Sequence, residues 1–475
     1  MEVTPFRGIR YNQKLVGDLA QVICPPYDVI SPEQQRRYYE QSDYNAIRLE
    51  YPLTCQRTGD SSQQSPYYTA AATFHKWLEQ GVLQFDDSRV FYLHNHYFKH
   101  AGEEKVRRGL IARVRLEPWG NGIFPHEETL PKAKNDRLKL LQACHANFSL
   151  LLSLYRDEEG KVVPMLDEAA KARPLIETSI FSPLTEEGMG EGNNAEKHII
   201  WAITDPEISR HISQSLLLQS LHMADGHHRY ETALAYQLER AQRIASDPSS
   251  LRGTPATKQS LNVIDNRQKE AFNYVMMELV EFSDPGLVVL PIQRLVRGIA
   301  PSRLAGLEKQ LENFFTLEYV PLTEVLPTHR ESQASSVIAS EAKQSQGLQG
   351  MVLGILGLRT ESLVVLKKRQ NVSFEGIMLE GRSQAYNEYN VSILNHVILD
   401  KLLGVTSNGE NIAYTTNITE AWQKVREGEY QLAFLVNPPQ SEVVRAFADA
   451  RDKMPAKSTY FYPKLPAGLV INSLD

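Results

Sequence analysis

Two rhythms of apolar residues run through the chain, one of period two and one of three to four, and they alternate. Tyr67, Ala70, Ala71, Phe74, Trp77 and Leu78 fall on one helix face, as do Tyr230, Ala233, Leu234, Gln237 and Leu238 farther on. Leu304, Leu307, Leu311, Phe314 and Phe315 predict a later helix, and 393–403 another. Short apolar or alternating runs predict strands at 45–50, 90–93, 96–98, 109–116, 149–155, 198–203, 288–291, 352–358, 362–366 and 431–437. A brief buried strand at 22–24 is stopped by Pro25 and Pro26, and Ser31 with Pro32 reads as a helix cap and first-turn proline. The segment 272–280 is expected to continue a helix. Strands and helices in alternation place the chain in the α/β (α+β) class.

A length of 475 residues suggests roughly two to three domains. The expected division is a core over 1–245, a loop and connecting helix over 246–300, and a mixed α/β C-terminal domain over 301–475. The Ser-, Gln- and Ala-rich stretch 328–350 reads as an inserted flexible loop, and 55–65 and 245–260 as further loops. Composition then excludes more than it assigns. Lys+Arg 51 against Asp+Glu 57 leaves a net charge of -6, so no broad basic field awaits nucleic acid. Cys24, Cys55 and Cys144 are too scattered for a zinc or disulfide framework. The start of the chain lacks an apolar signal core and no run reaches about eighteen apolar residues, so a cytoplasmic protein is expected.

The densest chemistry is Asp225-Gly226-His227-His228-Arg229, directly before the helix pattern at Tyr230. Asp225 reads as an N-cap and Gly226 as the turn, which puts His227, His228 and Arg229 in the first helical turn. Cationic side chains there oppose the helix dipole, so helix stability gives no reason for them. Unpaired N–H groups at a helix start and a planar guanidinium suit an anion, and the stretch is read as a phosphate-binding turn. A capped helix with solvated histidines accounts for any one of these residues but not for the cluster.

Other stretches supply partners. Asp28 sits on a stiff loop after Pro25, Pro26 and Tyr27. His126 and Glu127 are pinned between Pro125 and Pro131, and Lys132, Lys134, Asp136 and Arg137 follow. Lys457, Ser458, Thr459 and Lys464 could contact an anion, although an exposed polar loop is the simpler reading. His94 and His96 share a strand face and could hold a metal, but no third ligand is evident, so a packed or hydrated face is expected.

Together these stretches resemble domain-of-unknown-function family 1015. The residues that carry the resemblance are Cys24-Pro25-Pro26-Tyr27-Asp28-Val29-Ile30-Ser31-Pro32, Asn45-Ala46-Ile47-Arg48-Leu49, Pro125-His126-Glu127 and Asp136-Arg137-Leu138. Segment 225–233, Met276-Met277 with Asp284-Pro285-Gly286, and segment 457–464 belong to it too. It covers nearly the whole chain, less the three loops. More distantly, the Gly226-His227-His228-Arg229 turn is similar to that of the ParB and sulfiredoxin superfamily, which includes free-serine kinases. There a glycine, a polar residue and an arginine at a helix start grip nucleotide phosphates; Gly226, His228 and Arg229 match by position. This implies a ParB/sulfiredoxin-like nucleotide-binding core and ATP or ADP with Mg²⁺ as cofactor. One departure is visible. A Leu-Pro-x-His-Arg segment common in the closer family reads Leu290-Pro291-Ile292-Gln293-Arg294 here, and glutamine cannot act as an acid or base.

The favoured reading is a nucleotide-dependent phosphotransferase, a kinase acting on a small hydroxy compound, with free L-serine first among them. Asp225, Gly226, His227, His228, Arg229, Lys132 and Arg137 are the expected nucleotide-binding residues. Asp28, Glu127 and His228 are the catalytic candidates, and Asp225 the candidate Mg²⁺ ligand. One alternative is a ParB-like nucleotide switch without small-molecule chemistry, for which no basic helix-turn-helix is visible. Another is a metal-dependent hydrolase on Asp225, His227 and His228, disfavoured because adjacent helix positions diverge by about 100°. The expected partners are a nucleotide and a small-molecule substrate, with neither membrane nor nucleic acid; a homo-oligomer is left open.

Overall fold

In the computed structural model the described residues are 1–53, 65–127, 131–181, 195–246, 270–325, 352–406, 409–439 and 441–475. Most of the three loops expected from sequence falls outside them. Among the described residues, no helix is long and apolar enough to cross a membrane. Cys24 and Cys144 are buried free thiols, while Cys55 lies outside the described residues.

The chain is mixed α/β. Nine strands form the first sheet: β1 Val3–Thr4, β2 Phe91–His100, β3 Glu103–Arg115, β4 Ile123–Pro125, β5 Leu151–Tyr155, β6 Ile176–Phe181, β7 Ala195–Ile203, β8 Leu221–Asp225 and β9 Tyr274–Glu281. Their order is β4-β8-β5-β9-β3-β2-β7-β6, with β1 beside β3. The pairs β8–β4 and β9–β5 are parallel. Side chains alternate across the sheet, so Leu152 and Leu154 join one core with Phe74 and Trp77, while Leu151 and Tyr155 join another with Met223 and Tyr230.

Two expectations fail here for identifiable reasons. The segment 272–280 is not helical but supplies β9, an interior strand covered on both faces. Such a strand shows no polar alternation, and its apolar run cannot be told from a helix by periodicity. The run 45–50 is a short helix, Ile47–Glu50, because Asn45 Oδ1 accepts the Ile47 amide at 3.0 Å and turns the chain. The strands expected at 90–93 and 96–98 are the single strand β2, and only Cys24 of 22–24 makes a bridge, to Ala467. The helix over Pro32–Gln41 begins as its sequence indicates, with Ser31 and Gln34 closing a reciprocal cap.

The second sheet contains β10 Gln293–Val296, β11 Phe315–Pro321, β12 Val352–Leu356, β13 Ser362–Lys368, β14 Ile412–Thr415 and β15 Leu432–Val436. It runs β11-β13-β12-β15-β10-β14, antiparallel throughout. The chain then returns to the core of the first sheet. Ile471 bridges Ile9, Asn472–Ser473 pairs with Ala146–Asn147, and Phe461, Leu465, Leu469, Val470 and Ile471 enter the core around Phe74. Thus β9, expected within a connector, is a strand of the first sheet, and this tail, expected within a separate C-terminal unit, packs into the core beside it.

Candidate functional site

Strand β8 ends at Asp225, and the helix α1 His227–Ser246 begins two residues later. Gly226 makes the corner with a φ of 92°. A Cβ there would lie 3.0 Å from Leu151 Cγ and 3.1 Å from Arg229 Nη2, so both conformation and space call for glycine. Gly226→Ala is expected to cost about 1–3 kcal/mol, read as a lower urea midpoint.

Asp225 does not cap the helix as expected, because two cations occupy its carboxylate. Lys464 Nζ donates to Oδ1 at 2.6 Å and Arg229 Nη2 to Oδ2 at 3.3 Å. Arg229 Nη1 also donates to Ser149 Oγ and Leu150 O, both at 2.8 Å. Burial pushes the Asp225 pKa up, but Lys464 and Arg229 outweigh burial and hold it at about 2. That value lies below the ordinary 3.8, so Asp225 stabilises the fold above about pH 4, and the contribution disappears as pH falls toward 2. Acid denaturation should therefore show a loss of stability over that window that is missing in Asp225→Asn. Asp225, the expected Mg²⁺ ligand, has its two carboxylate oxygens on Lys464 and Arg229 here.

Asp28 stands exposed on the short turn Tyr27–Val29, and among the described residues its carboxylate accepts no hydrogen bond. Its charge acts on Arg229, His228 and Tyr460, which places it by the turn. Burial lowers the His228 pKa, and Lys457 and Lys134 lower it further against Glu231 and Asp28, so the imidazole is neutral at pH 7. Arg137, expected to bind nucleotide, is buried underneath. Its Nη1 donates to Glu50 O at 2.6 Å, its Nε to Asp136 at 2.8 Å, and its guanidinium lies 4.0 Å from the Tyr27 ring. Arg137 thereby fastens the Asp28 loop. Glu50, Arg137, Ser149, Arg229 and Thr232 line a cavity of about 50 Å³, water-sized rather than nucleotide-sized.

Two other expected residues act as fasteners. The buried His227 accepts the His126 amide on Nε2 at 3.3 Å and packs its ring edge-on to His126 and against Trp119. His126 Nδ1 donates to the Met223 carbonyl, so its Nε2 accepts from the Thr459 hydroxyl at 2.6 Å. Glu127 accepts the Lys457 amide at 2.7 Å. Their side chains thus tie the 123–127 segment and the C-terminal tail to the turn. The Lys132 side chain lies outside the described residues. Buried arginines clamp the tail at both ends: Arg294 Nη2 donates to Lys457 O and Arg107 Nη1 to Pro463 O, each at 2.9 Å. Gln293, the departure from the family pattern, sits in β10 and accepts the Val436 amide at 2.7 Å, a role within the second sheet.

The structure therefore brings Asp28, Asp225, Gly226, His228 and Arg229 together, Asp28 exposed and the other four half-buried, with the buried Arg137 and His227 and the half-buried Glu127 fastening the segments around them. The residues that sequence reasoning missed are Glu50, Ser149 and Tyr460, and it gave Lys464 only a general anion role. Nothing local marks Lys464, whose partner is 239 residues away.

This is a mixed α/β protein organised around a strand–turn–helix corner. The chain belongs to the family described as "Protein of unknown function (DUF1015)", whose model matches residues 3–371. No curated protein matches it significantly. Among solved structures, it is similar to a free serine kinase in complex with AMP, at 12% identity and a TM-score of 0.31, over 75% of this chain and 90% of that one. A mutant free serine kinase in complex with ADP gives 12% identity and 0.32, over 76% and 91%. A conserved hypothetical protein from Pyrococcus furiosus gives 10% and 0.30, over 75% and 93%.

Proposed function

We propose that the chain is a nucleotide-dependent phosphotransferase acting on the hydroxyl of a small molecule, with free L-serine the acceptor to try first. The supporting observation is the proximity of a helix-start turn backed by Arg229 and Lys464 to the exposed carboxylate of Asp28. Phosphoryl transfer needs positioning, charge neutralisation and a proton acceptor rather than covalent chemistry by the protein. The amides at the start of α1, with Arg229, Lys464 and Lys457, would hold the phosphates, and Gly226 lets them come close. Lys464 gives one of its three donors to Asp225 and keeps the others for phosphate oxygens. Bound ATP or ADP would supply the transferable phosphoryl group. Neutral His228 would donate a hydrogen bond to it, and Asp28 would take the proton of the acceptor hydroxyl. The likeness of the turn to that of the ParB and sulfiredoxin superfamily supports nucleotide as the anion and serine as the first acceptor.

The test is to incubate the protein with ATP or ADP, Mg²⁺ and L-serine and to look for phosphoserine by mass spectrometry. Arg229→Ala should weaken nucleotide binding by about 1.5–3 kcal/mol, the scale of a charged hydrogen bond. Unchanged affinity in that variant would sink the phosphate-turn reading. Nucleotide hydrolysis indifferent to every hydroxy compound would instead favour a nucleotide switch.

A further inference from the structure

Away from the turn, four strands of the first sheet bring six polar side chains together in its interior. They are His94 and His96 of β2, Arg107 of β3, Glu196 and His198 of β7, and Glu278 of β9, none more than 5% exposed. The third ligand that the sequence did not reveal comes from register, because His198 pairs directly with His96 across β2 and β7.

The hydrogen bonds fix the tautomers. His94 Nδ1 donates to Glu278 Oε2 at 2.7 Å, so His94 Nε2 accepts from His198 Nδ1 at 3.0 Å. His198 is left with a bare lone pair on Nε2, buried and without a hydrogen-bond partner among the described residues. Arg107 can only donate, so at 3.2 Å it makes His96 Nδ1 an acceptor and leaves the proton on Nε2, which donates to Glu196 at 2.8 Å.

We propose that His96, Glu196 and His198 form a buried site for a divalent transition-metal ion of the zinc class. Each offers one ligand atom, and these atoms lie within 4.8 Å of one another. Two imidazoles and a carboxylate suit Zn²⁺ or Co²⁺. The Glu278–His94 relay behind His198 orients that ligand and raises its basicity. On binding, the ion takes His96 Nε2 while the ring's single proton passes to Nδ1, so His96 stays an imidazole and Glu196 turns its freed oxygen to the ion. Arg107 then gives up its bond to His96 and keeps those to the Tyr462 and Pro463 carbonyls, with Glu278 3.9 Å away. Enclosed by the sheet, the ion would pin β2 to β7 rather than meet substrate.

The test is elemental analysis of full-length protein produced in medium supplemented with Zn²⁺ or Co²⁺ and dialysed extensively. About one metal per chain is expected, with visible d–d bands of low-coordinate Co²⁺ in the cobalt form and a higher thermal midpoint than metal-depleted protein. His198→Ala should lose the metal and its absorption, and Glu196→Gln should bind at least tenfold more weakly. If His198→Ala fails to fold, the nearly isosteric Glu196→Gln decides alone. Wild-type protein without stoichiometric metal overturns the proposal, as does a folded variant that retains wild-type stoichiometry and affinity.

Discussion

Replacing Asp28 with asparagine is expected to lower turnover by about 10²- to 10⁴-fold, the usual worth of a general base, while nucleotide affinity and thermal stability stay near wild type. The split follows from where the residue stands. Asp28 is exposed and its carboxylate accepts no hydrogen bond among the described residues, so the fold loses only a solvent-screened attraction to Arg229 when the charge goes. Asparagine keeps the shape and the polarity but has no lone pair basic enough to take a hydroxyl proton. The phosphate contacts belong to other residues, so the effect should fall on kcat and spare the Kd for nucleotide. A kcat within about threefold of wild type would remove Asp28 from the chemistry and leave the anion turn standing. Loss of nucleotide binding together with kcat would mean that Asp28 positions the ligand instead.

Phe461→Ala should cost about 3–5 kcal/mol of stability, the range for a buried aromatic cut back to a methyl. Phe461 is 2% exposed, shares the core of Phe74 and Trp77, and meets the His126 ring edge-on at 5.6 Å. Typical domains hold only about 5–15 kcal/mol in total, so this is a large fraction. The residues beside it make the result informative about the site. Thr459 bonds His126, and Lys464 bonds Asp225. Loosening the anchor between them should weaken nucleotide binding as well. Lys464→Met is the control, since it removes the charge at the turn and leaves the Phe461 packing in place. Chemical denaturation and nucleotide titration on both variants separate the two contributions. A wild-type midpoint for Phe461→Ala would show that the tail does not support the first sheet.

What the sequence revealed and what it concealed divide along range. Cap, turn and helix face are short-range properties, so the Gly226 corner, the Ser31 cap and the helix carrying Tyr230 could all be read directly. The identity of β9 could not, because burial on both faces erases the period that marks a strand. The cluster 225–229 was found through its cost to helix electrostatics, but the division of labour within it was not. His227 and Arg229 look equally cationic in sequence, and only the packing shows His227 neutral against His126 while Arg229 balances Asp225. Lys464 and His198 were hidden for the same reason. Each acquires its meaning from a partner supplied by sheet register or by a distant return of the chain.

Because Lys464 follows Asp225 by 239 residues, the order of synthesis matters for this protein. A ribosome delivers the corner, the Asp28 loop and eight strands of the first sheet, then β9 and the whole second sheet, before the segment that closes the first core. Until that segment arrives, Asp225 and Arg229 lack their lysine partner and the core lacks Phe461 and Ile471. Contacts of such separation form late and slowly, and an open apolar face invites association in the meantime. A nascent chain stalled anywhere before Tyr460 would therefore carry the motif without a finished pocket, and ligand binding would report that translation had run past that point.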